Sequence, residues 1–345
     1  MVPFASGMSE SNPQQRRALI FGISGQDGAY LARFLTLRGY DVHGTSRDVE
    51  GTSFRNLEAL SLRQRVSLHS AMVTDPNSVR AAILAVDPDE IYNLSGQTSV
   101  SLSYSQPGEA LGSIAMGTLN ILETIRDHKP KLRFYNACSS ECFGDTGGFA
   151  AHEAMPFRPV SPYAVAKSAA YWLVATYRSS YGLFACSGIL FNHESPLRPE
   201  RFVTRKIALS AARISRGSAK QLQLGNLSIV RDWGWAPDYV ESMWRMLQRS
   251  EPKDYVIATG KSVPLSYYVE ACFKRVGRDW REYVVRDKRL FRPSDPPFSA
   301  GDASLARSEL GWVPAHNVDD VARCMTDAAL AQLAGQPFEQ IVSES

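Results

Sequence analysis

Long apolar runs are missing from the chain, and none of its apolar segments is long enough to span a bilayer. Residues 1–15 are polar and carry Pro, Gly and Ser without the apolar core of a signal peptide, so they read as a flexible leader. An excess of one charge is also missing. The formal net charge is +3, and no basic tract is interleaved with aromatics, which argues against nucleic acid or an anionic membrane as partner. Cysteine is sparse. Cys138, Cys142, Cys186, Cys272 and Cys324 are odd in number and scattered. Cys138 and Cys142 lie closest, but no second pair or histidine cluster completes a zinc site, so no metal is expected. Such cysteine usage fits a reducing, cytoplasmic compartment. Repeats and low-complexity blocks are absent as well.

What is present is an ordinary globular composition, 44% hydrophobic and 21% charged over 345 residues. That length suits two domains, or one large α/β domain with an added lobe. Apolar runs predict strands at 17–22, 40–44, 90–94, 132–137 and 184–191. Amphipathic spacing predicts helices at 29–38, 77–85, 112–127 and 163–181. Strand and helix in alternation predict an α/β fold with a doubly wound parallel sheet. Beyond Asn192 the texture changes: Pro and Gly punctuate shorter elements, and basic residues cluster around Arg198–Lys206, Arg231–Trp235 and Lys288–Arg292. We therefore expect a dinucleotide-binding domain over 16–191, with a returning strand near 254–259. A smaller, mostly substrate-binding lobe is expected over 192–335.

The run Gly22-Ile23-Ser24-Gly25-Gln26-Asp27-Gly28 leaves the first strand and opens a helix. Backbone N–H groups at such a turn, with the helix dipole, suit a pyrophosphate, and a Cβ there would block close approach. This is the dinucleotide turn of a Rossmann-type fold. Cofactor choice is set at the end of the second strand, where an acid binds a ribose 2′-OH and an arginine a 2′-phosphate. Arg47 and Asp48 offer both, leaving NAD and NADP open.

Tyr163 and Lys167 stand one helical turn apart on one face. A free tyrosine, with pKa near ~10, is a poor base at neutral pH. A neighbouring ammonium and a positive nicotinamide ring are expected to bring the phenolate into working range. Ser139 and Glu141 follow the strand at 132–137, at the carboxyl edge where a reacting group would lie. Ser139 can hydrogen-bond the hydroxyl that Tyr163 deprotonates. Glu141 is a carboxylate that simple alcohol oxidation does not need; as a general base it could remove an acidic proton beside a new carbonyl.

These residues resemble the extended short-chain dehydrogenase/reductase family and, within it, the GDP-mannose 4,6-dehydratases, from about Arg17 to about Pro314. The resemblance rests on the Gly22–Gly28 turn, the run Ile91–Gln97, Ser139–Gly144, Ser161-Pro162-Tyr163 with Lys167, and Gly188–Pro196. It continues through Phe202–Lys206, Gly225-Asn226, Arg231–Gly234, Asp238–Glu241 and Phe291–Pro293. It implies that Ser139, Glu141, Tyr163 and Lys167 are catalytic. Tyr163 would take the C4 hydroxyl proton, Glu141 would act at C5 and toward the C6 hydroxyl, and Lys167 would hold the cofactor ribose. It implies a resident nicotinamide cofactor, NADP with NAD possible, that passes hydride out from C4 and back to C6. Leu94, Ser95, Gly96, Gln97, Met72, Val73, His193 and Arg198 would join the glycine turn around it. Ser103, Asn192, Val203, Lys206, Leu224, Gly225, Arg231, Arg292 and Asp295 would face a GDP-sugar. The physics agrees, since arginines offer forked donors to a diphosphate and Lys206 a point charge. A homodimer or homotetramer is implied too.

Three positions depart from the family pattern. Asp48 stands where a second arginine is usual, Met72 where an aspartate meets the adenine amino group, and Ser294–Pro297 where a more acidic stretch follows. Competing readings are a dehydratase of another GDP-hexose or heptose, a sugar-nucleotide 4-epimerase or 4-keto reductase, and a catalytically silent dinucleotide sensor. Glu141 speaks against the epimerase and reductase, and the intact Ser139, Tyr163 and Lys167 against the sensor.

Overall fold

The computed structural model describes residues 15–343, so the expected leader lies, except for Gln15, outside the described residues. Continuous apolar runs become strands buried on both faces, as the centre of a parallel sheet requires. β1 (Arg17–Phe21) and β6 (Ala185–Leu190) are largely such runs, and β4 (Glu90–Asn93) is equally buried although Glu90 and Asn93 are polar. With β2 (Asp41–Ser46), β3 (Ser67–Ser70), β5 (Arg133–Ser139) and β10 (Tyr255–Ile257) they make a seven-stranded sheet in the order β10-β6-β5-β4-β1-β2-β3. Every pairing in it is parallel. The strand order reverses between β1 and β4, the place where doubly wound sheets open a ligand crevice at their carboxyl ends.

The later chain adds β7 (Asn192–Glu194), β8 (Leu222–Leu224), β9 (Val230–Trp235), β11 (Ser262–Pro264) and β12 (Val284–Arg286). These form a three-stranded sheet β11-β9-β7 and a two-stranded sheet β12-β8. An apolar cluster of their own surrounds them, built on Ile207, Leu222, Trp233, Tyr268 and Met325. The helix Ala236–Leu247, assigned with this lobe on the sequence, instead packs into the main core beside Leu31, Tyr255 and Val256. The chain thus crosses between the two bodies more than once. Among the described residues no helix is long and apolar enough to cross a membrane.

Two local details shape the site. The helix Pro162–Tyr181 is capped by Ser161, whose Oγ accepts from Ala164 N at 3.1 Å. Pro162 fills its first turn and Gly182 closes it at φ +66°. This fixes Tyr163 in the first turn and Lys167 one turn later. The helix expected at 112–127 begins instead as a wider π turn, Leu111–Met116, before Gly117–His128. β3 went unforeseen because Ser-Leu-His-Ser, at the sheet edge, has no apolar run.

Gly22 takes φ +87°, and a Cβ placed there would stand 2.8 Å from the carbonyl oxygen of Leu94. Gly22→Ala is therefore expected to destabilise the fold by about 2 kcal/mol, from left-handed strain plus the close contact. Urea unfolding checks this; an unchanged midpoint would show that the turn is free to relax.

Candidate active site

The carboxyl edge of the sheet opens on a cavity of about 700 Å³. Its lining brings together Asp27, Leu94, Ser95, Ser139, Glu141, Tyr163, Lys167, Asn192, His193 and Arg198. The far wall adds Val203, Lys206, Leu224, Gly225, Arg292 and Asp295. Glu141 and Tyr163, far apart in sequence, therefore share one chamber. Residues that sequence reasoning did not single out also line it, among them Arg201 and Asn226. Both sit within runs already noted, so the signal was present.

Ser139 ends β5 in extended backbone, and its Oγ accepts from Glu141 N at 3.3 Å, starting the tight turn Ser140–Phe143 that presents Glu141. Ser139 also shares a hydrogen bond with the Tyr163 hydroxyl. Lys167 is buried and donates from Nζ to Ala137 O at 2.6 Å, with Nζ 5.9 Å from the Tyr163 ring centre. Burial pushes the phenol of Tyr163 above its ordinary value, and the Ser139 hydrogen bond opposes this. Burial also lowers the Lys167 ammonium. Desolvation is the largest influence on the phenol and leaves it above its ordinary value, with Lys167 Nζ on the same helix face.

The glycine turn is held from two sides. Asn56 Nδ2 donates to Ser24 O at 2.9 Å, a support that no local motif signals. Gln26 is spent within the protein, its Nε2 donating to His193 O at 3.2 Å and its Oε1 accepting from Ser195 Oγ at 2.8 Å. Asp27 meets His193 Nε2 at 2.9 Å, and His193 Nδ1 lies 2.7 Å from Phe191 O. A Cβ on Gly28 would collide with Gly22 O and with Ile23, so the turn admits only glycine there. Gly25 N closes the turn onto Gly22 O at 3.1 Å.

Several expected ligand contacts are taken up within the protein or stand apart from the cavity. Ser103 is fully buried; its Oγ donates to Val100 O at 2.7 Å and accepts from Tyr163 N at 3.1 Å. It thus holds the first turn of the helix Pro162–Tyr181, and it is not among the residues lining the cavity where a sugar was expected. Arg231 is buried and paired with Asp295 at 2.6 Å, leaving Arg292 to bridge Asp295 at 3.5 Å and Glu141 at 3.9 Å. Burial lowers the Arg231 guanidinium, while Asp295 and Glu141 oppose that. Arg47 is exposed beside Glu109 at 3.6 Å, Met72 is half exposed, and Val73 packs near Gly117. Gly96 takes φ +106°, and Gln97 keeps a buried Nε2 without a protein partner. Lys206 Nζ donates to Gln223 O at 2.7 Å. Among the described residues no cluster of His, Cys, Asp or Glu could hold a metal ion.

A doubly wound parallel sheet carrying Ser, Tyr and Lys at its carboxyl edge is the arrangement of an extended short-chain dehydrogenase/reductase. A profile of the family described as GDP-mannose 4,6 dehydratase matches residues 19–325. GDP-mannose 4,6 dehydratase 2 of Arabidopsis thaliana is 43% identical over 323 residues, covering 91% of this chain and 86% of that protein. A GDP-mannose 4,6-dehydratase of Vibrio cholerae is 39% identical over 354 residues, covering 92% and 95%. The chain belongs to the GDP-mannose 4,6-dehydratase family. Solved structures share its fold at lower identity. UDP-glucose 4-epimerase of Thermotoga maritima, with UDP-glucose, superposes with TM-score 0.81 at 19% identity, covering 93% and 100% of the two chains. The dTDP-glucose 4,6-dehydratase of Streptomyces venezuelae, with NAD and TYD bound, gives 0.80 at 20% identity, covering 92% and 98%.

The Asp27–His193 pair carries a pH signature. Burial favours neutral Asp27, but the charge and hydrogen bond of His193 override it and hold the carboxyl at about 2. Burial likewise disfavours the imidazolium, and Asp27 overrides that, raising His193. The stability from His193 is thus complete below its unfolded value near ~6.5 and lost as pH rises through the raised folded value. That from Asp27 is present above ~3.9 and lost as pH falls toward its folded value. Asp27→Asn should bring the His193 imidazole below its ordinary value, read by NMR titration, and reduce stability at pH 5–6 by roughly 3 kcal/mol. An unmoved His193 titration would remove the pairing.

Proposed function

We propose that the chain dehydrates GDP-mannose to GDP-4-keto-6-deoxymannose, using a resident nicotinamide dinucleotide that is not consumed. The observation that carries this is the enclosure of Glu141 in one cavity with Ser139, Tyr163 and Lys167. An epimerase or keto-reductase needs the last three and has no task for a second carboxylate. The names of the relatives point the same way.

The cradle fits a dinucleotide: Gly22 and Gly28 have no room for a Cβ, and the turn's N–H groups open a helix. The glycine turn would hold the pyrophosphate, Lys167 the ribose, and Ser95, His193 and Arg198 would flank them. When bound, the nicotinamide would supply reversible hydride exchange with the hexose. Tyr163, as its phenolate, would accept the proton of the C4 hydroxyl while Ser139 holds the oxygen. Glu141 then takes the C5 proton, made acidic by the C4 carbonyl, and delivers a proton to the departing C6 hydroxyl, which leaves as water. Lys206 and Arg292 meet the diphosphate, and Asn192, Val203, Leu224 and Gly225 line the nucleotide-sugar side.

NADP is favoured over NAD by the turn after β2. Asp48 accepts from Glu50 N at 2.9 Å and crowds Gly51, so its carboxylate is engaged within its own turn. Arg47, 77% exposed at its side chain, is the group able to reach a 2′-phosphate.

Incubation with GDP-, UDP-, CDP- and dTDP-sugars should give loss of one water mass from GDP-mannose alone. Glu141→Gln should keep nucleotide-sugar binding and lower turnover on the order of a thousand-fold, the scale of a lost general base. Tyr163→Phe should abolish the transient reduced-cofactor absorbance on adding substrate. Normal turnover in Glu141→Gln would refute its role, and dehydration of another sugar would reassign the substrate.

A further inference from the structure

Two thiols bracket the catalytic turn. Cys138 precedes Ser139 on β5, and Cys142 follows Glu141 in the turn Ser140–Phe143. Their sulfurs lie 3.6 Å apart. Both are buried, and Cys138 is among the residues that line the active cavity. Each also touches the catalytic helix: Cys138 Sγ lies 4.0 Å from Lys167 O, and Cys142 Sγ 3.7 Å from Ala164 O. Cys186 and Cys272 sit in the two cores, away from the cavity. The dehydration reading has no use for this pair.

We propose that Cys138 and Cys142 form an oxidant-responsive dithiol, and that a peroxide entering the cavity converts it to a disulfide and halts turnover at the adjoining turn. The thiolate of the pair attacks the peroxide O–O bond, sulfur is oxidised to a sulfenic acid, and hydroxide leaves. The second thiol displaces the sulfenic hydroxyl as water, closing the S–S bond, so one peroxide is reduced for two sulfurs joined. A thiol reductant reverses the step by exchange. Burial and the neighbouring Cys142 sulfur hold the Cys138 thiol well above its ordinary value, whereas Cys142, despite burial, is brought below it by Cys138, Ser168 and the Lys167 ammonium, so Cys142 supplies the thiolate.

Closing the sulfurs from 3.6 Å to the ~2.0 Å of a disulfide requires movement of more than an ångström. The segment whose two ends this closure would tie together carries Ser139 and Glu141. The same closure removes both S–H groups from the seam with Lys167 O and Ala164 O. A displacement of that size at reacting groups lowers turnover on the order of a hundred-fold.

The test uses the purified full chain, treated with hydrogen peroxide, then with dithiothreitol. The peptide holding both cysteines should lose two hydrogens in mass and resist alkylation, while Cys186 and Cys272 remain alkylatable after unfolding. Turnover should fall on the order of a hundred-fold and return with dithiothreitol. Cys142→Ser should keep its turnover through the same treatment, and Cys138→Ser serves if that variant does not fold. The turnover arm rests on the dehydratase reading, whereas the mass arm does not. Were GDP-mannose not the substrate, disulfide formation would still decide the dithiol. The proposal is overturned if both thiols stay alkylatable, if the disulfide forms with turnover intact, or if Cys142→Ser is inactivated as fast as the parent.

Discussion

Lys167 reaches from its helix to the carbonyl of Ala137, 2.6 Å away, and so ties the strand that ends in Ser139 to the helix that begins at Tyr163. A buried ammonium without an acceptor would be strongly unfavourable, so this bond fixes the axial position of the helix on β5. Ser103 sets its first turn by accepting from Tyr163 N, and Ser161 caps it. Three polar contacts thereby hold Tyr163 at the mouth of the cavity. The turn carrying Glu141 begins from the same strand end, so Tyr163 and Glu141 share one frame of reference. Without the lysine bond, the phenol and the carboxylate would have no common register.

The electrostatics of the cavity follow from what is already neutralised. Arg231 is committed to Asp295, and Asp27 to His193, so neither pair presents a free charge to an entering ligand. Lys167, Arg198, Arg201, Lys206 and Arg292 are cations among the residues lining the open space. Arg292 lies between Asp295 and Glu141 and so links the basic wall to that carboxylate.

The central sheet was legible because its strands are buried on both faces and so run largely apolar, most plainly in Ala18–Phe21. The Tyr163 and Lys167 spacing was legible because helical geometry alone puts them on one face. The edge strand Ser67–Ser70, half solvated and short, carried no such pattern. Neither did the return of Ala236–Leu247 to the main core, since an amphipathic helix does not name its partner. At the site, the proximity of Arg292 to Glu141 and the support of Ser24 by Asn56 depend on tertiary approach of distant segments. The raised phenol of Tyr163 was hidden for a related reason: spacing reports a neighbour, while desolvation depends on everything packed around it.

Gln26 binds the segment after β6 at two points, through His193 O and Ser195 Oγ. The loop that begins the chain's first helix and the stretch that leads into the second lobe are therefore one mechanical unit. In such an arrangement, order imposed on either end is inherited by the other without further expenditure of chain entropy. Two ligands that press on the opposite ends of this unit would then strengthen each other's hold by equal factors, whichever arrives first.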